Sequence, residues 1–245
     1  MRRWHLFEFG DQRWVPRFLR NYLHELLQYQ TTLIYEPLIP FLQEWMQDHT
    51  ITRLTDLASG AGGPWEMLTE QLHQRLMEVT VQYSDLHPKQ GPDWLTESVD
   101  ILQPDTWPEG PLTLFTGLHH LRPHQVKAFF QAVAQQERPI FVAEFTERSP
   151  RVILGMLLSP ILVWVHTLRV RPRAWHRYLF TYLIPLVPLL YMWDGAVSHA
   201  RSYTVIELAE LAQEAGIGLE IRTCPNLDLG VELTVLRTGN WEPEG

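Results

Sequence analysis

Three carboxylates, Asp56, Asp85 and Asp100, follow one another at intervals that suit the tips of successive strands. The first leads into a run of small residues, Ala58, Ser59, Gly60, Ala61, Gly62 and Gly63, before Pro64 opens a helical pattern. Small residues let a backbone turn tightly and approach a ligand closely, and proline suits the first turn of a helix. Strand, glycine-rich turn and helix N-terminus together make a cradle for a nucleotide-like ligand. Asp85, after the strand-like Glu78–Ser84, is placed to accept both hydroxyl protons of a ribose. Asp100, within a third strand pattern at Ser98–Leu102, is placed to accept from an exocyclic amine while Ile101 packs on an adenine ring. Singly, Asp100 reads first as a solvated loop acid and Asp85 equally as one. In order after a glycine-rich turn, the three favour an adenosine-containing ligand.

A second group could move protons. His119 and His120 follow Gly117 at the end of a fourth strand pattern, Leu112–Thr116. Histidine takes a proton near neutral pH, so a base for a bound acceptor is expected there; the alternative is that the pair closes the turn. Glu144, in the clearest strand pattern, Pro139–Phe145, is a second base candidate with a capping or structural alternative. The polar tract Trp193–Tyr203 offers Trp193, Asp194, His199 and Arg201 as substrate-lining residues, or a plain turn before the next helix.

These residues need elements to position them. Trp14–Gln30 has apolar rows at four-residue spacing and reads as an amphipathic helix. A second helical segment, Tyr35–Gln47, is disturbed at its start by Pro37 and Pro40. Helices are also expected after Pro64 and Pro123, and over Thr204–Ala215, where Thr204 and Glu207 fit a capping box and Gly216 a stop. Gly218–Thr223 and Gly230–Thr238 look like a closing antiparallel pair. Alternating strand and helix imply an α/β fold with a parallel sheet covered on both faces.

The chain here resembles the class I S-adenosylmethionine-dependent methyltransferases. Asp56–Gly62 (DLASGAG) is similar to that family's first motif, YSDLHP (Tyr83–Pro88) to the second, and SVDI (Ser98–Ile101) to the adenine motif. LFTGLHHL (Leu114–Leu121) resembles the segment beside the donated methyl group. One departure is Ala58, where the family often has glycine. The resemblance spans roughly Ile51–Phe145 and Thr204–Thr238. It implies a Rossmann-like sheet of seven strands, order 3-2-1-4-5-7-6 with strand 7 antiparallel, preceded by N-terminal helices and carrying an apolar helical insertion after strand 5. It also implies that Asp56, Ala58, Ser59, Gly60 and Gly62 hold the methionine end of S-adenosylmethionine, Asp85 the ribose, and Asp100 with Ile101 the adenine. Leu86, Thr116 and Gly117 complete the cofactor set, and His119 or His120 orients or deprotonates the acceptor. The expected product is S-adenosylhomocysteine, and no metal is expected. An NAD-binding oxidoreductase, the nearest competitor, usually has its glycine turn near the chain start and a parallel sixth strand.

Composition bounds the rest. A chain of 245 residues with a formal charge of −8 is most simply one decorated domain, and the charge disfavours a nucleic-acid partner. Its single cysteine, Cys224, excludes an internal disulfide and a cysteine metal cluster and suits a reducing cytosol. The N-terminal residues lack the continuous apolar core of a secretory signal. Expected segments are a helical lid (1–48), a cofactor-binding core (49–150), an apolar insertion (151–203), and a helix with a strand pair completing the core (204–245). Val152–Leu168 and Tyr178–Trp193 are almost wholly apolar, with arginines between them. Length and internal prolines disfavour a transmembrane hairpin. A peripheral membrane contact through residues 151–193 and helices walling an apolar pocket both stand, the second preferred. The expected activity is methylation of a hydrophobic or aromatic small molecule on oxygen, in the cytoplasm or peripheral to a membrane. The alternatives are an N- or C-methyltransferase of a lipid-like substrate and a non-catalytic binding or membrane scaffold.

Overall fold

The computed structural model describes residues 2–60, 62–171, 173–227 and 230–239. The chain divides into two compact units, each discontinuous in sequence: Ile34–Phe145 with Thr204–Gly245, and Met1–Leu33 with Thr146–Tyr203. The first division therefore falls at Leu33, ahead of residue 48. The cause lies in which core each helix fills. Helix α1 (Arg17–Ile34) gives Leu19, Tyr22, Leu23 and Leu26 to a cluster with Val163, Val170 and Val187. Helix α2 (Ile39–Asp48) instead gives Ile39, Leu42, Trp45 and Met46 to the core of the sheet. Of the two prolines anticipated as a disturbance, Pro37 lies in a short 3-10 turn, Glu36–Leu38, and Pro40 in the first turn of α2.

The larger unit is an α/β sandwich. Its strands are β1 (Arg53–Leu57), β2 (Thr80–Tyr83), β3 (Leu112–Phe115), β4 (Ile140–Glu144), β5 (Leu219–Asn226) and β6 (Val231–Thr238), in the order β2-β1-β3-β4-β6-β5. Strands β1 to β4 run parallel, and β6 runs antiparallel to both β4 and β5. Every residue of β3 and β4 is buried, as expected of parallel strands covered on both faces. Helices α3 (Trp65–Gln74) and α4 (Pro123–Gln135) follow β1 and β3.

Among the described residues the sheet has six strands where seven were expected. The missing one is Ser98–Leu102, which is irregular chain and a turn. Asp100 explains why: its Oδ1 accepts the Leu102 N–H at 2.9 Å, a local bond that competes with extended backbone. A single parallel bridge, Tyr83 to Trp94, occupies that edge instead. There the Tyr83 N–H donates to the Asp93 carbonyl at 2.8 Å, and the Trp94 ring stacks on Tyr83 at 5.3 Å.

The smaller unit contains α1 up to Leu33, then α5 (Pro150–Gly155), a 3-10 turn at Met156–Leu158, and α6 (Ser159–Thr167). Next come α7 (Trp175–Tyr178), continued by a π-helical turn Leu179–Leu183, and α8 (Leu186–Arg201). The polar tract expected as pocket lining or a plain turn is thus mostly the last turns of α8. Helix α9 (Val205–Ala215) returns the chain to the sheet, with the anticipated capping box: Thr204 Oγ1 accepts the Glu207 N–H at 3.2 Å and Glu207 Oε2 accepts the Thr204 N–H at 2.8 Å. Gly216 ends it in the left-handed region, at φ 72°.

Candidate active site

Chain order reverses between β1 and β3, and ligands of such sheets lie outside the carboxyl ends of the strands at that point. Asp56 is the buried penultimate residue of β1. Register sets it opposite Thr113 of β3, whose hydroxyl donates to Asp56 Oδ1 at 2.7 Å. Burial pushes the Asp56 carboxyl up to about 6; the Thr113 bond pulls it back, and the charge of Asp85 adds to the rise. Thr113 was not singled out in the sequence, although a polar residue in the otherwise apolar strand LTLF was the available signal.

Beyond Asp56 the chain doubles back. Ala58, Gly60, Gly62 and Gly63 all have positive φ, at 50°, 54°, 106° and 56°. Ser59 ties this turn to both strands: its hydroxyl donates to the Asp56 carbonyl at 2.8 Å and its N–H to the Ser84 carbonyl at 2.9 Å. The Gly60 N–H donates to Asp85 Oδ2 at 3.0 Å, and the His87 N–H to Asp85 Oδ1 at 2.9 Å. The first two expected acids therefore meet through one turn. A carboxylate has about four lone-pair positions, so two N–H bonds leave Asp85 able to accept hydroxyl donors as well. A Cβ at Gly62 would meet nothing within 4 Å, so the backbone there borders open space. Ala61 lies outside the described residues. Ala58 stands in the left-handed region that glycine enters at no cost, so the departure from the family motif is a strained position of ~1 kcal/mol.

The segment around Asp100 reaches the same rim without being a strand. The Val99 N–H donates to the Asp85 carbonyl at 3.0 Å and the Ser98 hydroxyl to the Leu86 carbonyl at 2.8 Å. Leu86 is about half exposed beside them. The Asp100 carboxylate holds the Leu102 N–H and the Gln103 side-chain amide, and its carbonyl accepts the Trp107 indole N–H at 3.1 Å.

At the end of β3 stand Thr116 and Gly117. Thr116 has φ 52°, an uncommon conformation for a β-branched residue, of the sort that clusters at functional sites. It is held there by its N–H to the Ala143 carbonyl at 2.8 Å and by a side-chain bond to the Tyr35 hydroxyl, which also reaches the Ala143 carbonyl. Tyr35 was another residue missed, since nothing local marks it. Gly117 packs so closely on Leu114 that a Cβ would lie 2.4 Å from Leu114 Cδ1.

The turn Leu118–His120 comes next, and Glu144 from the end of β4 organises it. Glu144 Oε1 accepts the Leu118 N–H at 2.6 Å, and Oε2 lies 2.9 Å from His119 Nδ1. Both side chains are buried, whereas His120 is exposed, its ring centroid 4.3 Å from that of His119. With Glu144 as the carboxylate, which only accepts, the bond places a proton on Nδ1 and makes Nε2 the basic nitrogen.

The four residues expected in the tract Trp193–Tyr203 lie in the smaller unit, on α8, and three of them hold the N-terminal segment. Asp194 accepts the Phe9 and Gly10 N–H groups at 2.6 and 2.8 Å, and Trp193 Nε1 donates to the Phe7 carbonyl at 3.0 Å. Arg201 pairs with Glu8 at 2.7 Å, both buried. His199 Nδ1 accepts the Glu147 N–H at 3.0 Å, and burial lowers its pKa to about 4.

No protein-family model and no curated protein matches the chain in sequence. Solved structures do match. Human N-acetylserotonin methyltransferase, crystallised with SAM, superposes at a TM-score of 0.50 and 13% identity over 91% of this chain, which spans 58% of that protein. TnmH does so at 0.50 and 16% over 91%, spanning 59%. The plantazolicin methyltransferase BpumL, in complex with SAH, superposes at 0.50 and 9% over 94% of this chain and 92% of its own. The chain therefore spans under two thirds of the first two neighbours. These likenesses show the class I methyltransferase fold implied by the motifs.

Proposed function

We propose that the chain is an S-adenosylmethionine-dependent methyltransferase acting on a hydrophobic or aromatic small molecule, with oxygen as the methylated atom. The observation that carries this reading is the Gly60–Asp85 bond beyond the carboxyl ends of β1 and β2, together with the buried Glu144–His119 pair at the ends of β4 and β3. Two neighbours of this fold were crystallised with SAM or SAH, which supports the same ligand here. The chemistry fits: Asp85 keeps lone pairs for ribose hydroxyls, Leu86 with the Val99–Ile101 segment lies by it for the adenine, and the methionine end is left to the open backbone at Gly62 and Gly63 beside Asp56.

When bound, that donor supplies an electrophilic methyl group on a sulfonium. The work left to the protein is alignment and exclusion of water. His119, its Nδ1 proton held by Glu144, receives the proton of a phenol or carboxylic acid at Nε2 as the acceptor oxygen becomes nucleophilic. Titration calorimetry with S-adenosylhomocysteine tests the cofactor assignment. The intact chain should bind it, and Asp85→Ala should weaken binding by tenfold or more, each tenfold being ~1.4 kcal/mol. No heat from the intact chain, or unchanged affinity in Asp85→Ala, refutes it.

A further inference from the structure

The α5–α8 region is built inside out. Along Pro150–Leu168 the side chains turned inward are Ser159, Val163 and Thr167, each at most 3% exposed and spaced four residues apart. Those turned outward are Leu154, Leu157, Leu158, Ile161, Val165 and Leu168, each 46–65% exposed and recurring at three- and four-residue steps. A helix packed against protein and wetted on its other face has the opposite pattern. Only 17% of Pro150–Thr167 is buried, at a mean hydropathy of 1.4. The second limb repeats the feature, with Trp175, Tyr182, Leu183, Ile184 and Leu189 exposed.

Two further observations show what this face meets. Trp164 is 44% exposed, yet its indole N–H is turned inward to the Thr181 carbonyl at 3.1 Å, so the ring offers the exterior an apolar surface. Charge names the surface. Between Glu147 and Asp194 the chain holds six arginines and no acidic residue, although its formal charge is −8. Of these, Arg151, Arg169, Arg171 and Arg173 are exposed at the ends of the apolar limbs.

We propose that this face docks in the plane of an anionic lipid bilayer, its leucines and tryptophans in the acyl boundary and its arginines on the headgroups. Geometry favours lying over crossing. One side of α6 is committed to protein through Ser159, Val163 and Thr167, and the second limb bends by 72° between Leu183 and Leu186. The proposal is independent of methyl transfer.

Flotation of the full chain with phosphatidylcholine vesicles, with and without phosphatidylglycerol, tests it. The chain should float with the anionic vesicles roughly tenfold or more better than with phosphatidylcholine alone. High salt should release much of it, and Leu158→Glu with Ile161→Glu should abolish flotation. Both side chains are more than half exposed, so far-UV circular dichroism and the melting temperature of that variant should match the parent. If the variant melts lower, Arg169→Gln with Arg171→Gln and Arg173→Gln serves instead, and loss of the anionic preference is expected. Failure to float with either vesicle overturns the proposal. So does a self-associated chain that the glutamates render monomeric without any vesicle binding, since a second copy then covers the face. Retention on vesicles through alkaline carbonate overturns the in-plane geometry in favour of a span.

Discussion

Replacing Asp56 by asparagine should make the protein more stable and at the same time weaken its hold on S-adenosylhomocysteine. The carboxyl is 1% exposed, and burial raises its pKa from 3.8 to about 6. An acid whose folded value lies above its unfolded one is neutral in both states below pH 3.8 and carries no penalty there. The penalty grows as pH rises through about 6 and is complete above it. At 1.36 kcal/mol per pKa unit it amounts to ~3 kcal/mol at neutral pH. Asparagine keeps an acceptor for the Thr113 hydroxyl, 2.7 Å away, without the buried charge. Urea unfolding at pH 8 should therefore show Asp56→Asn more stable by ~1–3 kcal/mol, with the difference vanishing toward pH 4. Calorimetry with S-adenosylhomocysteine should show affinity lost by tenfold or more, ~1.4 kcal/mol. If the variant is less stable at pH 8, or the pH slope is the same in both proteins, the account of Asp56 as a costly buried charge is refuted.

Other consequences follow from single contacts. Ala58→Gly, at φ 50°, should raise stability by at most ~0.5 kcal/mol after the added chain entropy of glycine, read as a slightly higher melting temperature. Thr204→Ala removes an N-cap and should cost about 0.5–2 kcal/mol in the same assay. Glu144→Gln should lower turnover of a phenolic acceptor by roughly tenfold to a hundredfold and flatten its pH profile, with S-adenosylhomocysteine affinity nearly unchanged; an unaltered profile removes the Glu144–His119 pair from the chemistry.

Much of the core was legible because its signals are local. The Thr204–Glu207 box, the Gly216 stop and the apolar runs of β3 and β4 each act within a few residues, and each fell where expected. The third strand failed for an equally local reason that apolar spacing does not show: Asp100 spends its carboxylate on the next turn. What spacing could not reveal were partners across the fold. Tyr35 meets Thr116 across 81 positions of sequence, and Thr113 meets Asp56 across 57. The same limit applies to Trp193, Asp194 and Arg201, whose polarity was legible but whose partners at residues 7–10 were not, and to His199, whose partner is the Glu147 backbone.

The position of β6 has a bearing on how the protein is made. This strand lies in the interior of the sheet between β4 and β5, yet it follows β4 in the chain only after the entire α5–α9 stretch. During synthesis β4, apolar but for its last residue Glu144, is thus an open edge of the kind that recruits other chains. The cell must shelter that edge until the hairpin of β5 and β6 emerges to close it, so yield on expression should depend on chaperone supply and growth temperature more than on any property of the finished fold.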